Sequence, residues 1–217
     1  MEGFEIERKY LVKNESWKKS VVKVKSMKQI YLSPDFFHCL FHRDVERNKL
    51  FFEIHNEENV LSIEVDEETK EIILLNPLIV FDHAENFNLN NDQWLSRIRI
   101  ENCSGVESAE ITIKGPHAGI MKPEYNFEVP YGDAIKIFES EQGLMCQRIE
   151  KVRHIYPTIN PELNWEIDVF SYPESVKNLV LAEIEIPDVD YDISSLIPDW
   201  IGEEVSEDPK YFNKNMI

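Results

Sequence analysis

Residues 4–12 alternate between apolar and charged side chains, with Phe4, Ile6, Tyr10 and Val12 set against Glu5, Glu7 and Lys9. A period of two places these sets on opposite faces of a β-strand. Related patterning predicts further strands over residues 27–32, 94–101, 107–114, 124–129, 147–155, 163–170 and 179–186. Helices are fewer. Asn14 is placed to cap one over 15–22, Gly143 to end one over 133–142, and Ser206 to cap a last short one reaching 215. Eight or so strands with short connections and flanking helices predict a mostly β fold, a closed or nearly closed antiparallel barrel.

The segment over about 32–92 breaks this rhythm. It predicts a hairpin, with strands at 60–65 and 71–75 around a turn at 66–69, and then an Asn-rich loop over 85–91. It carries 14 acidic residues against 4 basic ones. Its own core would be small, so it reads as an acidic lobe inserted into one domain spanning 1–217. Because loop entropy grows slowly with length, a short linker in its place is expected to leave the barrel folded. Phe36, Phe37, Phe41, Phe51 and Phe52 are expected to pack this lobe. His38, Cys39 and His42 lie within about one turn of a helix. They lack a fourth partner and zinc-finger spacing, so a surface or packing role is expected.

The net charge of −18 argues against nucleic-acid backbones and anionic membranes as partners. No apolar run approaches the ~18 residues of a membrane-spanning helix. The first residues lack the basic and apolar regions of a signal peptide. Three scattered cysteines, Cys39, Cys103 and Cys146, point to a reducing compartment, and the expectation is the cytoplasm. An acidic chain can still bind a small anion where its few cations converge.

Such convergence is written into the strands. Charged residues recur two apart, as in Glu5-x-Glu7-x-Lys9, Arg97-x-Arg99, Lys151-x-Arg153, Glu166-x-Asp168 and Glu183-x-Glu185. One such pair would ordinarily be a solvated sheet face. As a set they include like-charged neighbours that repel unless an anion lies between the cations and a divalent cation between the carboxylates. A barrel interior lined with both signs accounts for all of them.

These residues resemble the motifs of the CYTH superfamily, the triphosphate tunnel metalloenzymes. Glu5-x-Glu7-x-Lys9 is similar to the family's opening signature. Gln29-x-Tyr31, Arg97-x-Arg99, Thr112-x-Lys114, Lys151-x-Arg153, Trp165-x-x-Asp168 and Glu183-x-Glu185 follow in family order. The tail from Trp200 through Lys210 and Tyr211 to Asn213 resembles that of the short bacterial members. The likeness covers roughly residues 1–31 and 93–217.

The resemblance implies an eight-stranded tunnel and Mg2+ or Mn2+ held by Glu5, Glu7, Asp168, Glu183 and Glu185. It implies triphosphate oxygens held by Lys9, Arg97, Arg99, Lys114, Lys151 and Arg153, and a Tyr31–Lys151 pair activating the attacking water. Glu124, Glu128 and Lys210 are further candidates. Lys122 and Asn126 depart from the family's Arg-x-Glu-x-Glu-x-Glu pattern, and the lobe has no recognised counterpart. The expected activity is cleavage of inorganic tripolyphosphate to diphosphate and phosphate. Adenylyl cyclase of class IV, nucleoside or thiamine triphosphatase, and a non-enzymatic polyphosphate or nucleotide sensor stand as alternatives. In the sensor reading, the lobe would be a protein-binding surface.

Overall fold

The computed structural model describes residues 3–57, 60–91, 93–116 and 119–216. Glu58 and Asp92, both counted above in the lobe, lie outside the described residues.

The chain begins with β1 (Phe4–Val12), a short 3-10 turn at Ser16–Ser20 and β2 (Lys23–Tyr31). The lobe follows as β3 (His38–Asp44), β4 (Lys49–His55), β5 (Val60–Glu64), α1 (Glu67–Leu75) and β6 (Asn86–Asn88). Then come β7 (Leu95–Cys103), β8 (Val106–Lys114), β9 (Met121–Val129), α2 (Tyr131–Phe138) and α3 (Glu141–Met145). The chain ends with β10 (Gln147–Pro157), β11 (Asn164–Tyr172), β12 (Val180–Glu185) and β13 (Ile201–Glu204), followed by two 3-10 turns.

Among the described residues, eight strands pair antiparallel in the order β12-β11-β10-β2-β7-β8-β9-β1, and β12 pairs with β1 to close the barrel. The lobe forms a second sheet of four strands, β5-β4-β3-β6. No helix among the described residues is long and apolar enough to cross a membrane.

The barrel is inside-out. Its charged positions face inward, so its apolar residues lie on the outside and are covered by other parts of the chain. Over β1, β11 and β12 the cover is the segment before β13. There Tyr10 meets Trp165 edge-on at 5.5 Å, Trp165 meets Trp200 at 6.0 Å, and the Trp165 indole N–H donates to Leu196 O at 2.8 Å. Over β7–β9 the cover is the lobe together with α2. Ile98, Ile111, Tyr125 and Phe127 share one buried cluster with Phe41 and Phe52 of the lobe and with Ala134 and Phe138. Phe52 stacks on Phe127 at 5.6 Å with the rings nearly parallel. The lobe therefore shares the barrel's core, and a linker in its place would strip that core from β7–β9. The expectation of a removable lobe is corrected on this point.

Several local expectations also change. Residues 71–75 belong to α1, not to a strand, because the Asp66 carboxylate accepts from Thr69 N at 2.9 Å and starts a helix there. Residues 38–44 are strand β3, which separates His38 and His42 from Cys39 onto opposite faces. The helix expected over 133–142 ends at Phe138, and Ser140 caps α3. Gly143 lies inside α3, where a Cβ would come within 2.1 Å of Ile137 O, so its role is close packing. The tail after Ser206 forms 3-10 turns at Pro209–Tyr211 and Asn213–Asn215, the first capped by Asp208. The segment expected as a helix after Asn14 is the 3-10 turn, with Asn14 accepting from Ser16 N.

Candidate functional site

Alternation along each strand sends one parity of side chains into the barrel, and the cross-strand register brings them together. Glu5 pairs with Lys122, Glu7 with Glu185, Lys9 with Glu183, and Glu183 with Glu166. On the far wall Tyr31 pairs with Arg97, Arg97 with Thr112, and Lys114 with Glu124. The result is a cavity of about 380 Å³. Among the described residues, eight basic and eight acidic side chains line it. The chain's excess of negative charge therefore lies elsewhere, and the cavity is close to neutral.

Nearly every charge in it has a partner. Lys9 Nζ lies 2.8 Å from Glu183 and 3.7 Å from Glu7. Lys114 contacts Glu124 and lies 3.1 Å from Glu5. Arg99 reaches Glu110 at 2.7 Å and Glu101 at 3.0 Å. Arg153 contacts Glu166, Glu183 and Asp168. Arg97 is the exception among the cations. It donates to Thr112 Oγ1 at 2.8 Å, forms no ion pair among the described residues, and leaves its Nε without a partner. A buried guanidinium so placed presents its remaining donors to an anion in the cavity.

Among the lining carboxylates, Glu185 is the one without an ion pair among the described residues. Glu185 is exposed by surface area, although protein crowds its surroundings. Burial, and then repulsion from Glu5, Glu166, Glu7 and Glu124, push its pKa up to about 7. Glu124 shows the reverse. Burial disfavours its charge, but Lys114, a hydrogen bond with Glu5 and Arg97 outweigh that and hold it at about 2.

Tyr31 and Lys151 are both buried, but the register sets Tyr31 opposite Gln147 and Arg97, and Lys151 opposite Met27 and Phe170. Tyr31 Oη accepts from Gln29 Nε2 at 2.8 Å. Burial raises the Tyr31 pKa to about 12, so its hydroxyl keeps its proton. Burial and the neighbouring Arg153 lower that of Lys151.

The structure does not bring every sequence candidate to the cavity. Asp168 is fully buried beneath Lys151 and Arg153 and off the cavity lining. Its carboxylate accepts from Lys151 Nζ and, at 2.7 Å each, from Arg153 Nε and Nη2. Glu128 and Lys210 are exposed and off the cavity lining, and the tail contributes Phe212 and Asn213 instead. Five charged lining residues went unassigned, Lys25, Glu101, Glu110, Lys122 and Glu166. The first three continue the inward parity of Gln29-x-Tyr31, Arg97-x-Arg99 and Thr112-x-Lys114, a signal that could have found them. The lobe also reaches the cavity through Pro34 and Asn91, and the residues just after it through Gln93 and Trp94.

At one end of the barrel the inward positions turn apolar. Leu11, Tyr31, Ile149, Phe170 and Leu181 pack there with Val205 and Met216 from the tail. Lys9 Nζ also donates to Tyr211 O at 3.3 Å, so the tail is tied to the wall that carries the charges.

Divalent cations prefer carboxylate oxygen. Glu5, Glu7, Glu183 and Glu185 offer such oxygens from two adjacent strands, and the unneutralised Glu185 at the repelling centre fits a cation. Yet no three carboxylate, histidine or cysteine groups converge as a ready cage among the described residues. Ammonium groups stand between the carboxylates.

No family model matches the sequence. The chain is 37% identical over 123 residues to an inorganic triphosphatase of Acetivibrio thermocellus, an alignment covering 56% of this chain and 70% of that protein. It is 30% identical over 104 residues to an inorganic triphosphatase of Nitrosomonas europaea, covering 48% of this chain and 64% of that one. The crystal structure of the inorganic triphosphatase NE1496 aligns over 98% of this chain and 93% of its own, with 20% identity and a TM-score of 0.47. With a curated relative at 37% identity covered over more than two thirds of its length, the chain belongs to the inorganic triphosphatases.

Proposed function

We propose that the barrel hydrolyses inorganic triphosphate to diphosphate and phosphate, with Mg2+ or Mn2+ as cofactor. The observation that carries this reading is a near-neutral cavity with one unpaired guanidinium, Arg97, and one unpaired carboxylate, Glu185. A triphosphate brings about four to five negative charges, so a cavity already balanced needs divalent cations to admit it.

Arg97 would anchor the anion, and Lys9, Arg99, Lys114 and Arg153 would supply further donors to its oxygens. Glu5, Glu7, Glu183 and Glu185 would hold the cation. Once bound, the ion supplies positive charge to the phosphate oxygens and lowers the pKa of a water. Tyr31, holding its proton, acts as a hydrogen-bond donor. Lys151, whose proton burial and the neighbouring Arg153 make easier to lose, would accept one from the attacking water in its neutral form, with Asp168 anchoring the protonated form. Asp168 acts as the anchor of Lys151 and Arg153 and is set apart from the ion's direct ligands.

The three unpaired cysteines support a cytoplasmic setting. The acidic exterior supports neither nucleic acid nor an anionic membrane as partner.

The test is to incubate the purified chain with Mg2+ or Mn2+ and tripolyphosphate, ATP or thiamine triphosphate, and to identify the products. Tripolyphosphate is the expected preferred substrate. Loss of a charge-assisted contact costs roughly 1.5–3 kcal/mol. Arg97→Ala should therefore lower kcat/KM for it by about 10- to 150-fold. Binding without turnover in the wild type would favour the sensor, and an Arg97→Ala variant with unchanged kcat/KM would remove Arg97 from the site.

A further inference from the structure

Lys122 is unlike the other cavity lysines in where it stands. Its side chain is buried, and its ammonium lies 2.5 Å from Glu5 Oε2 and 3.2 Å from Glu7 Oε1. It therefore bridges the two carboxylates of the opening strand, with Glu185 opposite Glu7 in the register. A divalent ion bridging Glu5 and Glu7 would sit about 2.0–2.6 Å from their oxygens, which is the volume the ammonium already fills. Ion and ammonium exclude one another.

We propose that Lys122 is a placeholder cation. In the empty barrel it holds Glu5 and Glu7 in position and balances their charge. When a divalent ion takes those carboxylates, the displaced ammonium turns to the triphosphate. This rests on the metal-dependent reading above and adds a coupling to it. Metal alone must compete with Lys122 and binds weakly, whereas triphosphate gives the displaced ammonium a new partner. Each ligand then raises the affinity of the other by the same factor, as linkage requires. The barrel would fill with both together and resist loading with metal alone.

The experiment is calorimetric titration of the full chain with Mn2+, with and without non-hydrolysable imidotriphosphate, for wild type, Lys122→Met and Lys122→Arg. Circular dichroism checks that each variant is folded. With the competitor removed, Lys122→Met should bind Mn2+ alone more tightly than wild type, by a factor within the usual coupling range of about 5- to 150-fold. Its enhancement by imidotriphosphate should fall correspondingly. Lys122→Arg, which keeps the charge, should retain the wild-type ordering. Equal or weaker Mn2+ binding by a folded Lys122→Met, with wild type still binding, overturns the placeholder and leaves the metal reading intact. Wild type that takes up no Mn2+ even with imidotriphosphate overturns the metal reading, and the placeholder with it.

Discussion

Asp168 separates two roles that the sequence merges. A ligand of the ion would matter little to a metal-free protein, whereas an anchor of buried cations would matter most there. The structure gives Asp168 no exposed surface and three charged donors, one from Lys151 and two from Arg153. Arg153 keeps Glu166 and Glu183 if Asp168 is neutralised, but Lys151 has no other carboxylate within ion-pair distance among the described residues. Asp168→Asn would therefore leave a fully buried ammonium uncompensated. Breaking one partner of a buried pair costs about 3–5 kcal/mol. For a chain of this length each kcal/mol moves the midpoint by about 2–4 °C, so Tm should fall by roughly 6–20 °C. The assay is urea unfolding followed by tryptophan fluorescence in EDTA, since Trp165 lies on the same strand and in the buried cover of the barrel. The expected result is a lower midpoint with an unchanged slope. A metal-free loss below about 0.5 kcal/mol, the range of an unremarkable surface substitution, would refute the anchoring role. So would a loss that appears only when Mn2+ is added.

Glu185 gives the metal-free barrel a pH dependence of known sign. Its folded pKa of about 7 lies above the unfolded value of 4.5. The folded state thus binds the proton more tightly, and this stabilisation is complete below 4.5 and is lost as pH rises through about 7. Between pH 5 and 8 in EDTA, wild type should lose thermal stability relative to Glu185→Gln, and parallel curves would contradict the assignment. Phe52→Ala in the lobe should cost about 3–5 kcal/mol in one cooperative transition, because its ring packs on Phe127 of the barrel. Two separate transitions would show instead that the lobe melts by itself.

The inward face was readable because charge and strand share a period. Arg97-x-Arg99 and Glu183-x-Glu185 can alternate with isoleucine only if the two sets face opposite ways, and the register then collects the charges. Parity fixes the face but not the surroundings, which is why Glu183 and Asp168 read alike although one lines the cavity and the other is covered by Lys151 and Arg153. Lys122 was harder to place. It precedes Pro123, and proline ordinarily argues against a paired strand. Here β9 carries it, with Gly115 N donating to Pro123 O at 2.9 Å, and so extends inward to Lys122. The apolar run of 71–75 fits strand and helix alike, and a single cap at Asp66 decides between them.

The same polarity explains why the lobe belongs to the fold. A small barrel ordinarily buries apolar side chains inside and can leave its outer face to water. This one gives its interior to lysine, arginine and glutamate, so the apolar half of every strand has to be covered from outside. The tail segment with Trp200 covers one side, and α2 covers part of the other. That leaves Tyr125 and Phe127, which meet Phe41 at 6.2 and 6.4 Å, and Phe127 also stacks on Phe52. Without β3 and β4 those rings would face solvent. The lobe thus serves the cavity at one remove, since it supplies the hydrophobic cover that lets β7–β9 point Arg97, Lys114 and Lys122 inward.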